Sequence, residues 1–312
     1  MKAVVTGAAG FIGSHVAESL LADGHEVVGV DCFTDYYPRP VKEANLRGLR
    51  ASAGFRLVEE RLQEADLAPL LDGAEHVYHL AAQAGVRASW GRDFALYADH
   101  NVLATQRLLE AALAAGCPKL VYASSSSVYG DAPALPLRED GPCHPISPYG
   151  VTKLAGEHLA VLYHRNYGLP TVSLRFFTVY GPRQRPDMAF HRFLKAARDG
   201  DEVTLFGDGR QTRDFTYVAD IVAAVRAAPL SGRPGSVYNV GGGERVALNE
   251  VLRVIESVTA RPLRIRRQEA QKGDMRDTFA DTASARRDLG FRATVPLAEG
   301  LAREWEWIRG LR

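Results

Sequence analysis

Tyr149 and Lys153 stand four residues apart in the segment Ser147-Pro148-Tyr149-Gly150-Val151-Thr152-Lys153. In a helix that spacing puts both side chains on one face. A lysine ammonium beside a phenol favours the phenolate, so the expected effect is a tyrosine drawn down from about 10 toward neutral pH, able to take a proton from a hydroxyl. Ser147 is placed to cap such a helix and Pro148 to fill its first position. The same pair also occurs as a solvated lysine beside an amphipathic tyrosine, and taken alone that bland reading outweighs the catalytic one.

Residues upstream reverse the balance. Gly7-Ala-Ala-Gly10-Phe-Ile-Gly13 follows the apolar run Ala3–Thr6 directly and opens a helix-like stretch. Glycines there permit a tight turn and close approach of backbone to a pyrophosphate, while the helix N-terminus offers unpaired N–H groups and a positive dipole end. Asp31, 18 residues past Gly13 at the end of the next strand, can accept from ribose hydroxyls. Its carboxylate would repel a 2′-phosphate, and Cys32-Phe33-Thr34 brings no arginine to hold one, so NAD is expected rather than NADP. The serine run Ser124-Ser125-Ser126-Ser127 ends the strand before the Tyr149 helix, where ligands of open α/β sheets bind. For Ser124, satisfying its own strand end is an equal alternative.

These residues need a parallel sheet to bring them together. Strand-length apolar runs at Ala3–Thr6, Glu26–Asp31, Phe55–Glu59, His76–Ala81, Lys119–Ser124 and Thr171–Phe176 alternate with helical stretches such as Phe11–Ala22, Phe94–Ala115 and Pro148–Asn166. The alternation predicts an α/β fold with a Rossmann-type doubly wound parallel sheet. The nearly continuous apolar VVGV and LVYA suit strands buried on both faces. After residue 176 come loops rich in Pro, Gly and Arg, shorter strands at Val203–Phe206, Val237–Val240 and Leu263–Ile265, and helices near Leu248–Thr259 and Leu297–Ile308. We expect residues 1–176 to bind the cofactor. Residues 177–312 should form mainly a smaller mixed α/β substrate-binding domain, packed against the first and with some segments returning to it.

The 312 residues are 46% apolar and 24% charged with a formal charge of +1, which allows a sizeable core and gives no electrostatic bias toward nucleic acid or a membrane surface. No uncharged stretch approaches a membrane span, and MKAVVTGAAGFIG runs straight into a strand and glycine turn, so a cytoplasmic location is expected. Cys32, Cys117 and Cys143 are odd in number and widely spaced, and read as incidental thiols rather than metal ligands or a disulfide framework.

With these pieces assembled, the whole chain resembles an extended short-chain dehydrogenase/reductase of the nucleotide-sugar epimerase/dehydratase family. The resemblance implies that Ser125, four before Tyr129 of the SSVYG turn, hydrogen-bonds the reacting hydroxyl beside Tyr149, and that Lys153 also holds the nicotinamide ribose. It implies cofactor contacts from Gly7, Gly10, Phe11, Ile12, Gly13, Asp31, Leu62, Phe176, the segment HLAAQAGVR with Leu80, Ala81, Ala82 and Gln83, and Asn101. It places Arg213, Arg87 and Asp274 near a UDP moiety, with the strand Val203–Phe206 offering backbone to uracil. It also implies a homodimer formed through Phe94–Ala115 and Pro148–Asn166.

Leu174–Ala189 and the ASSSSVYG turn are similar to UDP-glucuronate 4-epimerases, in which the residues matching Ser126, Ser127, Thr178 and Arg185 surround the sugar carboxylate. Arg183 and Arg192 compete for the role of Arg185. Related dehydratases carry an Asp-Glu pair after the catalytic Ser/Thr, and glucuronate decarboxylases a glutamate at the position of Ser127; this chain has neither acid. The implied activity is 4-epimerisation of UDP-glucuronate to UDP-galacturonate with bound NAD, the nearest alternative being a UDP-glucose/galactose 4-epimerase and more distant ones a UDP-glucuronate decarboxylase or a non-catalytic NAD(H) sensor. Two positions depart from the family. Arg61 stands where an aspartate usually accepts from the adenine amine, and Gln271-Lys272 precede Gly273-Asp274 where an arginine often stands.

Overall fold

The computed structural model describes residues 1–116, 118–131, 134–269 and 273–311; Cys117 and the Gln271-Lys272 pair lie outside the described residues. The strands in chain order are β1 (Lys2–Thr6), β2 (Glu26–Val30), β3 (Phe55–Val58), β4 (His76–His79), β5 (Lys119–Ser125) and β6 (Thr171–Phe176). They continue with β7 (Thr178–Tyr180), β8 (Glu202–Phe206), β9 (Thr212–Tyr217), β10 (Ser236–Val240), β11 (Arg245–Ala247) and β12 (Arg264–Gln268). Helices are α1 (Phe11–Ala22), α2 (Arg39–Arg50), α3 (Ala68–Leu71), α4 (Phe94–Tyr97), α5 (Ala104–Ala114) and α6 (Pro148–Tyr167). Beyond the fifth and sixth strands lie α7 (Ala189–Asp199), α8 (Val218–Ser231), α9 (Leu248–Thr259), α10 (Ala283–Leu289) and α11 (Leu297–Gly310).

The large sheet has seven strands in the order β10-β6-β5-β4-β1-β2-β3, every pair parallel. Alternate residues serve opposite faces. Ala3, Val5, Tyr78 and Val121 pack with Val16 and Leu20 of α1 and Ile221 and Val225 of α8. Val4, Val77, Leu120 and Tyr122 pack with Leu108 and Leu109 of α5 and Ala160 and Tyr163 of α6. Both faces being covered, the strands are buried along most of their length, which suits the apolar runs of β1, β2 and β5, while β6 buries the polar Thr171, Ser173 and Arg175 as well. The strand order reverses between β1 and β4, and at such a switch point the loops leaving neighbouring strands part and leave a crevice.

β10 covers the expected strand Val237–Val240 and lies in the large sheet with Tyr238 opposite Leu174; periodicity alone does not reveal which of the later segments returns to it. Two expectations are corrected. The strand expected at Leu263–Ile265 forms over Arg264–Gln268 with every residue exposed, because main-chain pairing with β8 rather than apolar burial defines it. The helix expected through Phe94–Ala115 is interrupted by a wide π-helical turn at Ala98–Leu103 between α4 and α5. The remaining strands make a three-stranded sheet, β11-β9-β7, and a two-stranded one, β12-β8. Among the described residues no helix is long and apolar enough to cross a membrane.

Candidate active site

The crevice begins at the glycine turn. Gly7 N–H donates to Val30 O at 2.7 Å, tying the turn to the end of β2, and its φ of +71° belongs to the region glycine tolerates. A Cβ on Gly13 would lie 2.0 Å from Gly7 O, so the helix can approach the turn only if residue 13 has no side chain. Gly10 caps α1 without a side-chain hydrogen bond, leaving the first N–H groups of the helix for a ligand. Asp31, one residue past β2, accepts from Ala9 N–H at 3.0 Å and Phe33 N–H at 2.9 Å, and burial raises its pKa. Each carboxylate oxygen keeps further lone pairs for ribose hydroxyls.

The opposite wall is held with the same economy. β4 stops at His79, and the N–H groups of Leu80 and Ala81 turn to Thr6 Oγ1 at 3.2 and 3.1 Å. Asn101, carried on the π turn, accepts from Gln83 N–H at 2.7 Å and donates to Gln83 O at 3.0 Å and Thr152 Oγ1 at 2.9 Å. That clamp joins the loop after β4 to α6. A π turn re-aims side chains within a helix and recurs at functional positions. Gly7, Gly10, Phe11, Ile12, Gly13, Asp31, Leu62, Leu80, Ala81, Ala82, Gln83, Tyr149, Lys153 and Phe176 all line one continuous cleft. A bare helix N-terminus, a glycine cradle and a carboxylate at the next strand end fit a dinucleotide without a 2′-phosphate.

Tyr149 and Lys153 enter from α6, whose start is set as the sequence indicates: Ser147 Oγ accepts from Gly150 N–H at 3.1 Å and Pro148 occupies the first turn. The electrostatic expectation for the pair is corrected. The enclosed cleft pushes the Tyr149 phenol up, and the groups pulling it back are Arg185 and a hydrogen bond to Ser125, not Lys153. Lys153 itself is 3% exposed with Nζ 4.5 Å from the Tyr122 ring centroid, and burial draws it down to about 7 against the opposing pull of Glu157. An ammonium this poorly solvated is a weak source of positive charge at neutral pH.

Glu157 anchors a buried network beneath the pair. It accepts from Ser124 Oγ at 2.6 Å and from Arg175 at 2.6 and 2.9 Å, and Arg175 in turn donates to the Tyr129 hydroxyl at 2.7 Å. Ser124 is thus a floor residue. Ser125 Oγ accepts from Ser127 N–H and donates to Ser127 Oγ, both at 3.1 Å, while Ser126 is buried in the same 3-10 turn. Thr178 opens β7, half-buried.

A second cleft adjoins the first and shares Arg185 with it. Arg185 is bidentate to Asp187 at 2.9 and 3.0 Å, and the Tyr36 hydroxyl reaches the same carboxylate. Of its two competitors, Arg183 is engaged with Glu18 of α1 at 2.9 Å, whereas Arg192 lines the second cleft. Arg87 pairs with Asp274 at 2.6 Å and lies 4.3 Å over the Phe206 ring beside Thr204 and Leu205. Arg213 neighbours this pair but has Nη1 committed to the carbonyls of Thr212 and Arg276, both at 2.9 Å.

Sequence reasoning missed Lys42 and Gln63, which also line the first cleft. Lys42 had a signal: with Asn45, Leu46 and Leu49 it occupies the buried stripe of α2, an odd place for a lysine unless something polar lies beneath. Gln63 had none.

Comparison with known proteins agrees with this geometry. The family described as "NAD dependent epimerase/dehydratase family" matches residues 3–241. A Bacillus subtilis protein described as an uncharacterized UDP-glucose epimerase is 45% identical, covering 100% of this chain and 99% of its own length. A probable UDP-glucuronate 4-epimerase of Rhizobium meliloti is 38% identical, covering 98% of this chain and 96% of its own. The crystal structure of UDP-glucuronic acid 4-epimerase from Bacillus cereus, in complex with UDP-glucuronic acid and NAD, superposes with a TM-score of 0.96 at 43% identity over 99% of both chains. By match, fold and site the chain belongs to the NAD dependent epimerase/dehydratase family.

Proposed function

We propose that this protein is an NAD-dependent UDP-sugar 4-epimerase that interconverts UDP-glucuronate and UDP-galacturonate by transient oxidation at carbon 4. The observation that carries the proposal is the junction of the two clefts, where the Tyr149–Lys153 wall of one meets the Arg185 guanidinium shared with the other. The 43% identity with the Bacillus cereus enzyme across nearly the whole chain supports the same substrate.

NAD, when bound, accepts hydride from carbon 4 and returns it to the opposite face. Tyr149 takes the 4-hydroxyl proton and later gives it back, Ser125 hydrogen-bonds the same oxygen, and Lys153 holds a ribose of the cofactor. Arg185, Ser126, Ser127 and Thr178 fix the sugar carboxylate, while Arg87, Arg213 and Asp274 meet the UDP. Oxidation at carbon 4 makes a β-keto acid, which loses carbon dioxide when its carboxylate bond aligns with the carbonyl π system. Fixing the carboxylate prevents that alignment. The buried acid under this turn, Glu157, is tied to Arg175 and Ser124 and has no free part in eliminating water or assisting decarboxylation.

The assignment gives the cofactor to residues 1–176 and the nucleotide sugar mainly to 177–312, with β10 returning to the first part. It includes a homodimer through α4–α5 and α6, whose Leu103, Val151 and Leu162 are 47%, 47% and 51% exposed. It also includes a cytoplasmic location, a reducing setting that suits the free thiols Cys32 and Cys143.

The 45% identity with the Bacillus subtilis relative favours UDP-glucose as the second reading. Incubating the protein with each UDP-sugar and following the products by NMR separates the two: rapid conversion of UDP-glucuronate with slow or absent conversion of UDP-glucose is expected, and the reverse would refute the substrate. In the same assay Tyr149→Phe should retain NAD and lose turnover by at least about a thousandfold. Appreciable turnover would remove Tyr149 from the proton step.

A further inference from the structure

We infer that Gln63 reads the adenine amine of the cofactor, with Asp99 and Arg61 acting through it as positioning residues. The inference rests on the first cleft holding a dinucleotide. The phosphate turn follows β1 and Asp31 follows β2, so a dinucleotide extended across the strand ends carries its base onto the segment after β3. There Glu60, Leu62 and Gln63 line the cleft, facing His100 and Ala104. Leu62, 6% exposed, offers an apolar surface to a planar ring.

Gln63 is 9% exposed, and its Oε1 is a buried acceptor with no hydrogen-bond partner among the described residues. Buried carbonyl oxygens are rarely left so, because an unmade hydrogen bond is not repaid by water. The orientation of the amide is fixed. Nε2 donates to Asp99 Oδ2 at 2.9 Å, and an Arg61 guanidinium nitrogen binds the same oxygen, so a reversed amide would set carbonyl against carboxylate. Arg61, which has no acceptor to offer, thereby takes a part in base recognition by holding Asp99. What Oε1 lacks is a donor, and the exocyclic amine of adenine is a donor. A hypoxanthine base puts a carbonyl in that place, facing another carbonyl.

The test uses the holoprotein and reads cofactor retention rather than activity. Purified protein is exchanged against an excess of NAD and nicotinamide hypoxanthine dinucleotide in equal amounts, then denatured, and the released dinucleotides are quantified by chromatography and mass spectrometry. The wild type is expected to retain NAD over the hypoxanthine form by roughly tenfold or more. Gln63→Met should fall to near parity. Near parity in the wild type, or a full preference in Gln63→Met, overturns the assignment. Glu60 is the other acceptor on this segment and is exposed, so Glu60→Gln should fold and keep the preference; its loss there would give the role to Glu60. Release of neither dinucleotide would instead refute the reading of the cleft itself.

Discussion

The two clefts that meet at Arg185 are built from different materials. The first is made of strand ends and main chain: Gly7 bonds Val30, Thr6 receives Leu80 and Ala81, Asp31 receives Ala9 and Phe33, and Asn101 clamps Gln83. Its polar groups are fixed by the fold itself. The second is lined by long charged side chains paired with one another, Arg87 with Asp274 and Arg185 with Asp187, and the former pair is 44% and 29% exposed. In the proposed function a nucleotide sugar exchanges those pairings for its own, so cofactor retention is expected to rest on rigid geometry and substrate affinity on the exchange of ion pairs, which salt screens.

Substitutions on each side probe that division. Gly13→Ala strikes the rigid side hardest, because its methyl would stand 2.0 Å from Gly7 O and force the turn and α1 apart. Purified variant should contain little or no NAD and lose about 1–3 kcal/mol in denaturant unfolding. Full NAD content in that variant would show that the cradle yields, and the contrast with the second cleft would fall.

A pH effect comes next. Burial lowers Lys153 to about 7, so between that value and the ordinary lysine value near 10.4 the unfolded chain binds more protons than the folded one. Stability should accordingly rise with pH across this window and be least below it, where the folded protein must keep a buried ammonium charged. Lys153→Met should flatten that rise in melts taken from pH 6 to 10. An unchanged slope would mean that Lys153 is solvated.

The smallest effect on the protein itself is expected from Arg87→Ala. Its partly exposed pair with Asp274 should contribute less than about 1 kcal/mol to stability. NAD content should be unaffected, while KM for the UDP-sugar rises and depends less steeply on salt. Loss of NAD in this variant would show that the clefts are not separable.

The same division governs how much was legible in the sequence. The bounds of α1, β6 and α9 match the expectation residue for residue, and Ser147 caps α6 as read. In each case apolar spacing and cap chemistry are local. In the cofactor cleft Gly7, Gly10, Gly13 and Asp31 could be named from the residues because a glycine turn and a carboxylate at the next strand end are themselves the binding device, whereas Leu62, Leu80 and Phe176 came from the family resemblance. What escaped was set by distant partners. The π turn at Ala98–Leu103 places Asn101 against Gln83 and Thr152, and no propensity encodes that turn. The upward shift of Tyr149 comes from its burial in the packed cleft, which spacing along a helix does not convey. β10 joined the large sheet because β6 offered an edge to a strand able to bury both its faces. In the second cleft, the Arg183–Glu18 pair that takes one competing arginine out of the site depends on a helix more than a hundred residues upstream.

The central claim is that hydride leaves carbon 4 and returns to it within one site. Conversion of UDP-glucuronate in deuterated water, followed by proton NMR and mass spectrometry of the recovered nucleotide sugar, tests it most directly. The expected product is UDP-galacturonate with the original hydrogen at carbon 4, no solvent deuterium there and no pentose. Deuterium at carbon 4, or a UDP-pentose as the main product, would contradict the account.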